Sequence, residues 1–464
     1  MIPRLLIAGT GSGVGKTLLT AGLIGALRRR GLTVQPFKCG PDYIDPGWHS
    51  RAAGRPCRNL DTWMLGPAAM RDSFRRGCVG ADIAIIEGVM GLFDGARFDS
   101  DAGSAAEIAA LLGAPVMLVL SIAGSARSAA AVALGFAGFD PDRPVAAVAL
   151  NFAGSERHAM GCGAAITDAT GLPVLGWLPR ETALAVPERH LGLHLAVEGG
   201  AAEGGSADAV LEAAATAVAA RFDLNALLRL AETAPGQPVP AIPLANGLPD
   251  GPVLAVARDA AFAFYYQDDL DLLAAAGARL AWFSPTAGDP LPPDAAGVYL
   301  GGGYPELHAR ALSANTGLWR DLHALHERGA PVLAECGGFM ALTGALVDAD
   351  GVRHEMAGLV PGETRMTRRL AALGYREATA LADSPLAGIG ETLRGHEFHY
   401  STWDCSAAPP TPAWRACGTR AGAAPMPVGH ADKGLLASYL HIPLAQRPDL
   451  AHRLVARLRT TASL

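Results

Sequence analysis

Near its beginning the chain contains Leu5-Leu-Ile-Ala-Gly9-Thr-Gly-Ser-Gly-Val-Gly-Lys16-Thr17, a short apolar run followed directly by a glycine-rich loop. A helical pattern over 18–29 comes next, so the loop stands between a predicted strand and a predicted helix. In such a loop the backbone N–H groups wrap a phosphate, and the N-terminus of the helix adds a favourable partial charge. This unit predicts a parallel α/β sheet with a phosphate site after its first strand.

The loop also predicts which groups bind a nucleotide. Lys16 would reach the terminal phosphates and Thr17 would bind Mg²⁺, so we predict ATP and Mg²⁺ as cofactors. The common pattern is Gly-x-x-x-x-Gly-Lys-Ser/Thr, and here Thr10 stands where that pattern has its first glycine, one residue after Gly9. A glycine-rich turn with a chance Gly-Lys-Thr is the alternative. The predicted phosphate-contacting backbone comprises Gly11, Gly13, Val14 and Gly15.

Short apolar runs recur along both halves of the chain. In the first half they cover 5–8, 33–37, 83–86, 116–120, 145–150 and 174–177, and a helical stretch over 207–230 follows. In the second half they cover 253–257, 280–283, 298–300 and 331–334, with a helix over 264–276. Near-continuous apolar strands of this length indicate parallel sheets that are covered on both faces.

The length of 464 residues and a stretch rich in Pro and Gly predict two domains. The predicted fold class is α/β, with a doubly wound P-loop domain over 1–232 and a second α/β domain over 253–464. The stretch 233–252 is the predicted linker.

Two further loops follow predicted strands and carry acidic side chains. Asp42 and Asp45 follow the second strand, and Glu87 and Asp94 follow the third. Because the carboxyl ends of parallel strands meet at the ligand crevice, these acids are predicted to lie beside the phosphate loop. Glu87 is the predicted Mg²⁺ contact, while Asp42 and Asp45 could hold a second metal or the reacting carboxylate. A helix-cap or turn role is the alternative for each acid taken alone.

A cysteine in the second half has the surroundings of a nucleophile. Cys336 lies directly after an apolar run and directly before two glycines, which permit a sharp turn, and a helix N-terminus behind it is expected to lower the pKa of the thiol. His441 is the best candidate for its base. Backbone N–H groups of Gly302, Gly303 and Gly337 could stabilise an oxyanion. A buried structural cysteine is the alternative.

Two histidines, His396 and His399, stand three residues apart. This spacing differs from His-Glu-x-x-His, so a zinc protease is excluded. On a strand, the pair could bind a large acidic or metal-bearing ligand. An ordinary polar strand edge is the alternative.

The composition excludes several classes of protein. A net charge of -6 with only short basic clusters argues against a nucleic-acid partner. Seven cysteines without Cys-x-x-Cys spacing argue against a zinc site or disulfide framework and favour a reducing cytoplasm. The uncharged stretch 108–126 is interrupted by Gly113-Ala-Pro115, so we interpret it as a helix end followed by a buried strand rather than a membrane span. The N-terminus has no signal-peptide layout.

Taken together, the motifs resemble those of the a,c-diamide synthases of the cobalamin pathway, which act on cobyrinic acid or cobalt-free hydrogenobyrinic acid. The first half is similar to dethiobiotin synthetase and the second half to class I glutamine amidotransferases. The motifs that carry the resemblance are 9–17, 37–46, 87–95, 301–306, 335–339, 395–401 and 438–441.

The resemblance implies a two-site reaction with a corrinoid and L-glutamine as substrates. ATP would phosphorylate a corrinoid carboxylate, and Cys336 would attack glutamine to release ammonia, which displaces the phosphate at carboxylates c and a. It also implies that Lys16, Thr17 and Glu87 serve ATP and Mg²⁺. The residues assigned to the substrate are Lys38, Asp42, Tyr43, Asp45, Asp94, His396 and His399, with Asp45 also a metal ligand and Asn151 an adenine contact.

One departure and several alternatives stay open. Many class I amidotransferases carry Glu two residues after the histidine, and here that position is Pro443, so the third member of the Cys–His site is undetermined. Cobyric acid synthase and nickel-sirohydrochlorin a,c-diamide synthase are related alternatives. A partitioning-type ATPase switch is a different class, but it would need a lysine at Gly11. The sequence leaves open the metal content of the substrate, the order of amidation, the ammonia path and the oligomeric state, with a homodimer as one hypothesis.

Overall fold

The computed structural model describes residues 2–140, 142, 145–180, 206–236, 250–406, 410–419 and 422–462, together with two short strands at Glu188–Arg189 and Gly192–Leu193. The chain divides into two compact units, Met1–Pro243 and Leu244–Leu464. The boundary between the two units lies within the predicted linker 233–252. Residues 237–249 of this linker lie outside the described residues. Its bounds stay a prediction.

A seven-stranded parallel sheet forms the first unit, in the order β3-β2-β4-β1-β5-β6-β7. Its strands are β1 Arg4–Gly9, β2 Val34–Cys39, β3 Arg58–Leu60, β4 Ile83–Glu87, β5 Val116–Ser121, β6 Val145–Ala153 and β7 Val174–Pro179, and β8 Glu188–Arg189 and β9 Gly192–Leu193 form a separate pair. The helices are α1 Lys16–Arg29, α2 Asp45–Ala53, α3 Thr62–Gly77, α4 Ala105–Leu112, α5 Ser128–Phe139, α6 Glu156–Thr170, α7 Ala207–Arg221 and α8 Leu224–Glu232.

Both faces of this sheet are buried, as the near-continuous apolar strands predict. Leu5 and Ile7 of β1 pack into one core cluster, whereas Leu6 and Ala8 pack into another on the opposite face. Successive side chains of a strand alternate between faces, so an apolar residue is needed at every position. The six predicted strands of this half are confirmed, and β3 is an additional edge strand.

Two local features differ from or confirm the predicted pattern. The single helix expected over 207–230 is two helices, because Phe222 is extended and the Asp223 side chain accepts the N–H groups of Asn225 and Ala226 to start α8. The interpretation of 108–126 is confirmed: α4 ends at a left-handed Gly113 and β5 begins at Val116. Across the described ranges, no helix is both long and apolar enough to cross a membrane.

A six-stranded sheet, β11-β10-β12-β13-β23-β22, forms the centre of the second unit, and two four-stranded sheets accompany it, β15-β14-β16-β19 and β18-β17-β20-β21. The strands are β10 Val253–Ala257, β11 Arg279–Phe283, β12 Ala295–Leu300, β13 Val332–Glu335, β14 Thr343–Val347, β15 Arg353–Glu355, β16 Val360–Met366, β17 Ala372–Ala380, β18 Thr392–His399, β19 Ser401–Asp404, β20 Trp414–Gly418, β21 Met426–Val428, β22 His430–Asp432 and β23 Leu435–Ser438. The helices are α9 Gln267–Ala275, α10 Ala309–Ala314, α11 Thr316–Glu327, α12 Gly337–Leu342 and α13 Asp449–Ala462.

The four predicted strands of the second half all lie in its central sheet, where only the edge strand β22 is antiparallel. The two smaller sheets are not predicted from the sequence. Several of their strands are largely exposed; along β17, for example, only Ala378 and Ala380 are buried. A continuous apolar run is therefore missing from such a strand.

Candidate active sites

The phosphate loop joins β1 to α1, and two of its glycines are required by close contacts. A Cβ at Gly9 would lie 2.7 Å from Val14 Cγ2, and one at Gly15, where φ is +83°, would lie 2.0 Å from Asn151 Nδ2. The tight start of the loop is thus at Gly9. Thr10, at the position where the common pattern has its first glycine, pairs with Gly91 in an isolated bridge.

Lys16 and Asn151 both contact the loop itself. The Lys16 ammonium donates to the carbonyl of Gly11 at 2.8 Å and to that of Met90 at 2.6 Å. The Asn151 amide donates to the Val14 carbonyl at 2.9 Å and is buried. Asn151 therefore holds the shape of the loop, and its contact with adenine stays a prediction.

A buried charge cluster lies next to Thr17 at the ends of β2 and β4. Lys38 donates to Glu87 Oε1 at 2.9 Å and also to Asp45, and its ammonium is 3.9 Å from Asp42. The Thr17 hydroxyl donates to the same Glu87 oxygen at 3.1 Å. The structure thus brings the predicted metal residues Thr17, Asp45 and Glu87 together with Lys38.

The pKa values of Glu87 and Asp45, two acids of this cluster, are shifted in opposite directions. Burial favours a higher pKa for Glu87, but the charge of Lys38 and the contact with His49 outweigh it and lower the pKa to about 2. Burial and the neighbouring Asp42 raise the pKa of Asp45 to about 7, against the effect of Lys38. Of Glu87 and Asp45, Glu87 is therefore the stronger acid and the better anionic ligand at neutral pH.

His49 also belongs to this cluster, although the sequence patterns do not predict it. It is fully buried on α2, and its Nε2 forms a hydrogen bond with Glu87 Oε2. Its Nδ1 has no hydrogen-bond partner among the described residues. The available signal was its position four residues after Asp45, which places both side chains on one face of a helix.

Asp42 and Asp94 make local backbone contacts, which is the turn or cap role given above as the alternative to substrate or metal binding. Asp42 Oδ1 accepts the N–H groups of Ile44 at 2.8 Å and Asp45 at 3.1 Å, and Asp94 Oδ2 accepts the N–H of Gly91 at 2.8 Å. Both carboxylates therefore order the loops around the phosphate site. Their contacts with substrate, and that of the half-buried Tyr43, stay predictions.

The oxygen donors of this cluster suit a magnesium ion that is held chiefly by phosphates. Mg²⁺ binds through one or two carboxylates together with phosphate oxygens and waters. The Thr17 hydroxyl and the Glu87 carboxylate are hard oxygen donors beside the phosphate loop. No group of three or more His, Cys, Asp and Glu side chains that could hold a metal by itself occurs in the described ranges. The residues thus fit a metal that arrives with a nucleotide.

The predicted sharp turn at Cys336 is present. The cysteine has φ +48° and ψ -102°, between the end of β13 and the start of α12. A Cβ at Gly337 would lie 2.9 Å from the nitrogen of Gly303, and one at Gly338 would lie 2.1 Å from the carbonyl oxygen of Leu300. The glycines after the cysteine let the turn approach the 301–303 loop, as in a nucleophile elbow.

The expected lowering of the cysteine pKa is wrong. Burial, followed by the charge of Glu306, raises the pKa of the Cys336 thiol to about 12, and the Gly337 N–H opposes this only in part. Helix α12 has six residues, so its N-terminus gives limited help. A resting thiol of this kind needs a base to remove its proton.

His441 lies at the same edge of the sheet as the cysteine. β13 and β23 are neighbours, and the Cys336 N–H donates to the Ser438 carbonyl at 2.8 Å. A Cβ at Gly302 would lie 2.5 Å from His441 Cε1 and 3.1 Å from Nε2, so the ring packs on the glycine loop. The structure thus brings together the predicted catalytic residues Cys336, Gly302, Gly303, Gly337 and His441.

His396 and His399 border the same site. His396 and His441 exchange backbone hydrogen bonds of 3.0 and 2.9 Å, and burial lowers the pKa of the His396 ring to about 3. His399 stacks on Tyr439, with ring centroids 3.6 Å apart. Because residues three apart on a strand face opposite sides, the two rings do not share one surface. His396 thus borders the site through its backbone and His399 through its ring, and their contact with a corrinoid stays a prediction.

Fold and sites together define a two-domain protein in which a P-loop nucleotide-binding unit precedes an amidotransferase-type unit with a cysteine elbow. The family model described as CobQ/CobB/MinD/ParA nucleotide binding domain matches residues 5–193, and the model described as CobB/CobQ-like glutamine amidotransferase domain matches residues 253–449.

Similar proteins match along the whole length. The cobyrinate a,c-diamide synthases of Dehalococcoides mccartyi and Salmonella typhimurium are each 43% identical to this chain, and each match covers 98% of it. The matches cover 97% of the Dehalococcoides protein and 98% of the Salmonella protein. The hydrogenobyrinate a,c-diamide synthase of Streptomyces coelicolor is 41% identical and covers 99% of the chain and 98% of itself. The chain belongs to this family of a,c-diamide synthases, and the resemblance noted from its motifs is confirmed.

Proposed function

We propose that this protein uses ATP and glutamine to amidate the a and c carboxylates of cobyrinic acid or hydrogenobyrinic acid. The observation that carries the proposal is the presence in one chain of two sites. One site contains the phosphate loop and the buried Lys38–Glu87 pair. The other contains Cys336 in a strained backbone conformation, the glycine loop and His441. Full-length similarity to proteins named cobyrinate and hydrogenobyrinate a,c-diamide synthase supports it.

The first site suits activation of a carboxylate. Lys16 and Thr17 would hold the phosphates of ATP, with Mg²⁺ bound by Thr17, Glu87 and Asp45; the metal would neutralise charge on the phosphates. A corrinoid carboxylate oxygen would attack the γ-phosphorus, and ADP would leave. Lys38, whose ammonium is buried among acids, would balance the charge of the acyl phosphate.

The second site suits release of ammonia from glutamine. Because burial keeps Cys336 protonated, its proton would pass to His441 as the sulfur attacks the amide carbon. N–H groups of Gly337 and of the 302–303 loop would stabilise the oxyanion. Ammonia leaves, water hydrolyses the thioester to glutamate, and the ammonia attacks the acyl phosphate to give an amide and inorganic phosphate.

The cysteines bear on the location of the enzyme in the cell. In the described part of the chain the seven cysteines are free thiols, which supports the cytoplasmic location expected from the sequence. We leave the homodimer as a hypothesis.

The test is to incubate the pure protein with ATP, Mg²⁺ and glutamine, offering cobyrinic and hydrogenobyrinic acids separately, and to identify the products by mass spectrometry. Two amides on one substrate, with ADP formed in step, are the expected result and also settle the metal preference. Four further amides on the a,c-diamide would indicate cobyric acid synthase instead. No amidation of either acid, with glutamine or with ammonia, would reject the proposal.

A further inference from the structure

The cysteine site has a histidine but lacks an acid where class I amidotransferases usually carry one. Position 443, two residues after His441, is Pro443, and its ring offers no carboxylate. A histidine that accepts a proton from a buried thiol becomes an imidazolium, and an acid on its other nitrogen fixes the tautomer and stabilises that charge. Another residue should therefore supply the acid.

Glu335 lies on the correct side of the ring. It is the last residue of β13, directly before Cys336, and it is only 4% exposed. Its Oε2 is 3.7 Å from His441 Nδ1, while the Nε2 edge of the ring packs against Gly302. The two nitrogens thus face different groups: Nδ1 faces the carboxylate, and Nε2 faces the glycine loop beside the cysteine.

Two hydrogen bonds hold the Glu335 carboxylate in this orientation. The Tyr299 hydroxyl donates to Oε2 at 2.7 Å, and the Ile442 N–H donates to Oε1 at 3.0 Å. Because Ile442 follows His441 directly, the second bond ties the carboxylate to the segment that carries the ring. At 3.7 Å the pair is longer than a hydrogen bond, and contacts of this kind often tighten only with substrate bound.

We propose that Glu335 is the positioning residue of His441, so that the acid of the glutaminase site comes from the residue before the nucleophile rather than from the second residue after the histidine. This inference rests on the proposed glutaminase function and deepens it. The alternative is that Glu335 only ties the strand end to Ile442.

Other titratable groups around His441 do not supply this charge. His396 on β18 is kept neutral by burial, which lowers its pKa to about 3. Asp269 on α9 uses one carboxylate oxygen to accept the N–H groups of Leu444 and Ala445, beyond the ring. Cys336 itself is the proton donor. Glu335, in contrast, brings a carboxylate oxygen to 3.7 Å from Nδ1 of the ring.

The test compares the full-length wild type with Glu335→Gln and Glu335→Asp, measuring glutamate release from glutamine over a range of pH. Glutamine keeps the shape and its single oxygen can still accept one of the two hydrogen bonds, but it loses the charge. We expect kcat to fall roughly 10²- to 10⁴-fold with KM for glutamine little changed. The acidic limb of the pH profile should move to lower pH, because an imidazole without its carboxylate is easier to deprotonate.

Ammonia-driven amidation is the internal control, since it uses only the first site. Its preservation in Glu335→Gln would show an intact first unit, and scanning calorimetry would show whether the second unit, which carries Glu335, keeps its fold. Its absence in the wild type would count against the proposed function and not against Glu335. A wild-type kcat, or a reduced kcat with an unmoved acidic limb, would overturn the positioning role. If Glu335→Gln does not fold, Glu335→Asp decides: its retracted carboxylate should lower kcat at least about tenfold, and an unchanged kcat would overturn the proposal.

Discussion

The glycine pair after the cysteine gives the sharpest quantitative prediction. In Gly338→Ala the new Cβ would lie 2.1 Å from the carbonyl oxygen of Leu300 and 2.7 Å from its carbonyl carbon. The obstacle is backbone of the central sheet, which cannot move aside as a flexible side chain can. The Gly338 N–H also donates to the Gly301 carbonyl at 3.0 Å, and the displacement would break this bond.

The size of the effect follows from these two contacts. Overpacking costs about 1–3 kcal/mol, and a lost hydrogen bond adds about 1 kcal/mol, so we expect the free energy of unfolding of the second unit to fall by about 2–4 kcal/mol. For a unit of this size that corresponds to a decrease in Tm of roughly 4–16 °C. Glutamine-driven amidation should be lost, because the elbow can no longer approach the 301–303 loop.

Scanning calorimetry and the two amidation assays check this prediction. Gly317→Ala is the matched control, since a Cβ at Gly317 on α11 meets only Arg320 Nη2, at 3.8 Å. It should leave the Tm within a few degrees of the wild type and activity unchanged. If Gly338→Ala kept the wild-type Tm and glutamine-driven activity, the steric account of the elbow would be refuted.

Three further changes test other parts of the account. Glu87→Gln should abolish amidation with glutamine and with ammonia, and it should lower the free energy of unfolding by about 3 kcal/mol because buried Lys38 loses an opposite charge. Folding lowers the pKa of Glu87 from 4.5 to about 2, so in acid unfolding the stability difference between wild type and variant should be present above pH 4.5 and shrink as the pH approaches 2. Alkylation of resting Cys336 by iodoacetamide, measured by mass spectrometry of the peptide that contains it, should accelerate about tenfold per pH unit between pH 7 and 9. A plateau there would contradict the raised thiol pKa. Asn151→Ala should weaken ATP binding about fivefold by calorimetric titration, since about 1 kcal/mol of support for the Val14 carbonyl is lost, and an unchanged Kd would contradict that role.

The sequence predicts the parallel sheets because their strands must be apolar at every position. Leu5 to Ala8 illustrate this, since alternate side chains enter different cores. It predicts the two sites because glycines and chemically reactive side chains follow strand ends. β17 carries neither signal: most of its side chains are partly or fully exposed, so its place is set by pairing with β18 and β20.

Residues that act through tertiary neighbours were the ones missed. His49 is far from Glu87 along the chain, and only folding brings the two together. Glu335 stands beside the cysteine in the sequence, yet its relation to His441 depends on the pairing of β13 with β23. The pKa of the Cys336 thiol is raised rather than lowered because burial and the charge of Glu306 outweigh the effect of the short helix.

Nitrogen transfer between the two sites is the central claim, and one labelling experiment tests it most directly. The wild type and Cys336→Ser are given ATP, Mg²⁺, a corrinoid acid and glutamine labelled with nitrogen-15 in its amide, with or without unlabelled ammonia. The account predicts two labelled amides from the wild type, and from Cys336→Ser only unlabelled amides, formed when ammonia is added. Labelled amides from Cys336→Ser, or no amides from that folded variant with ammonia, would contradict it.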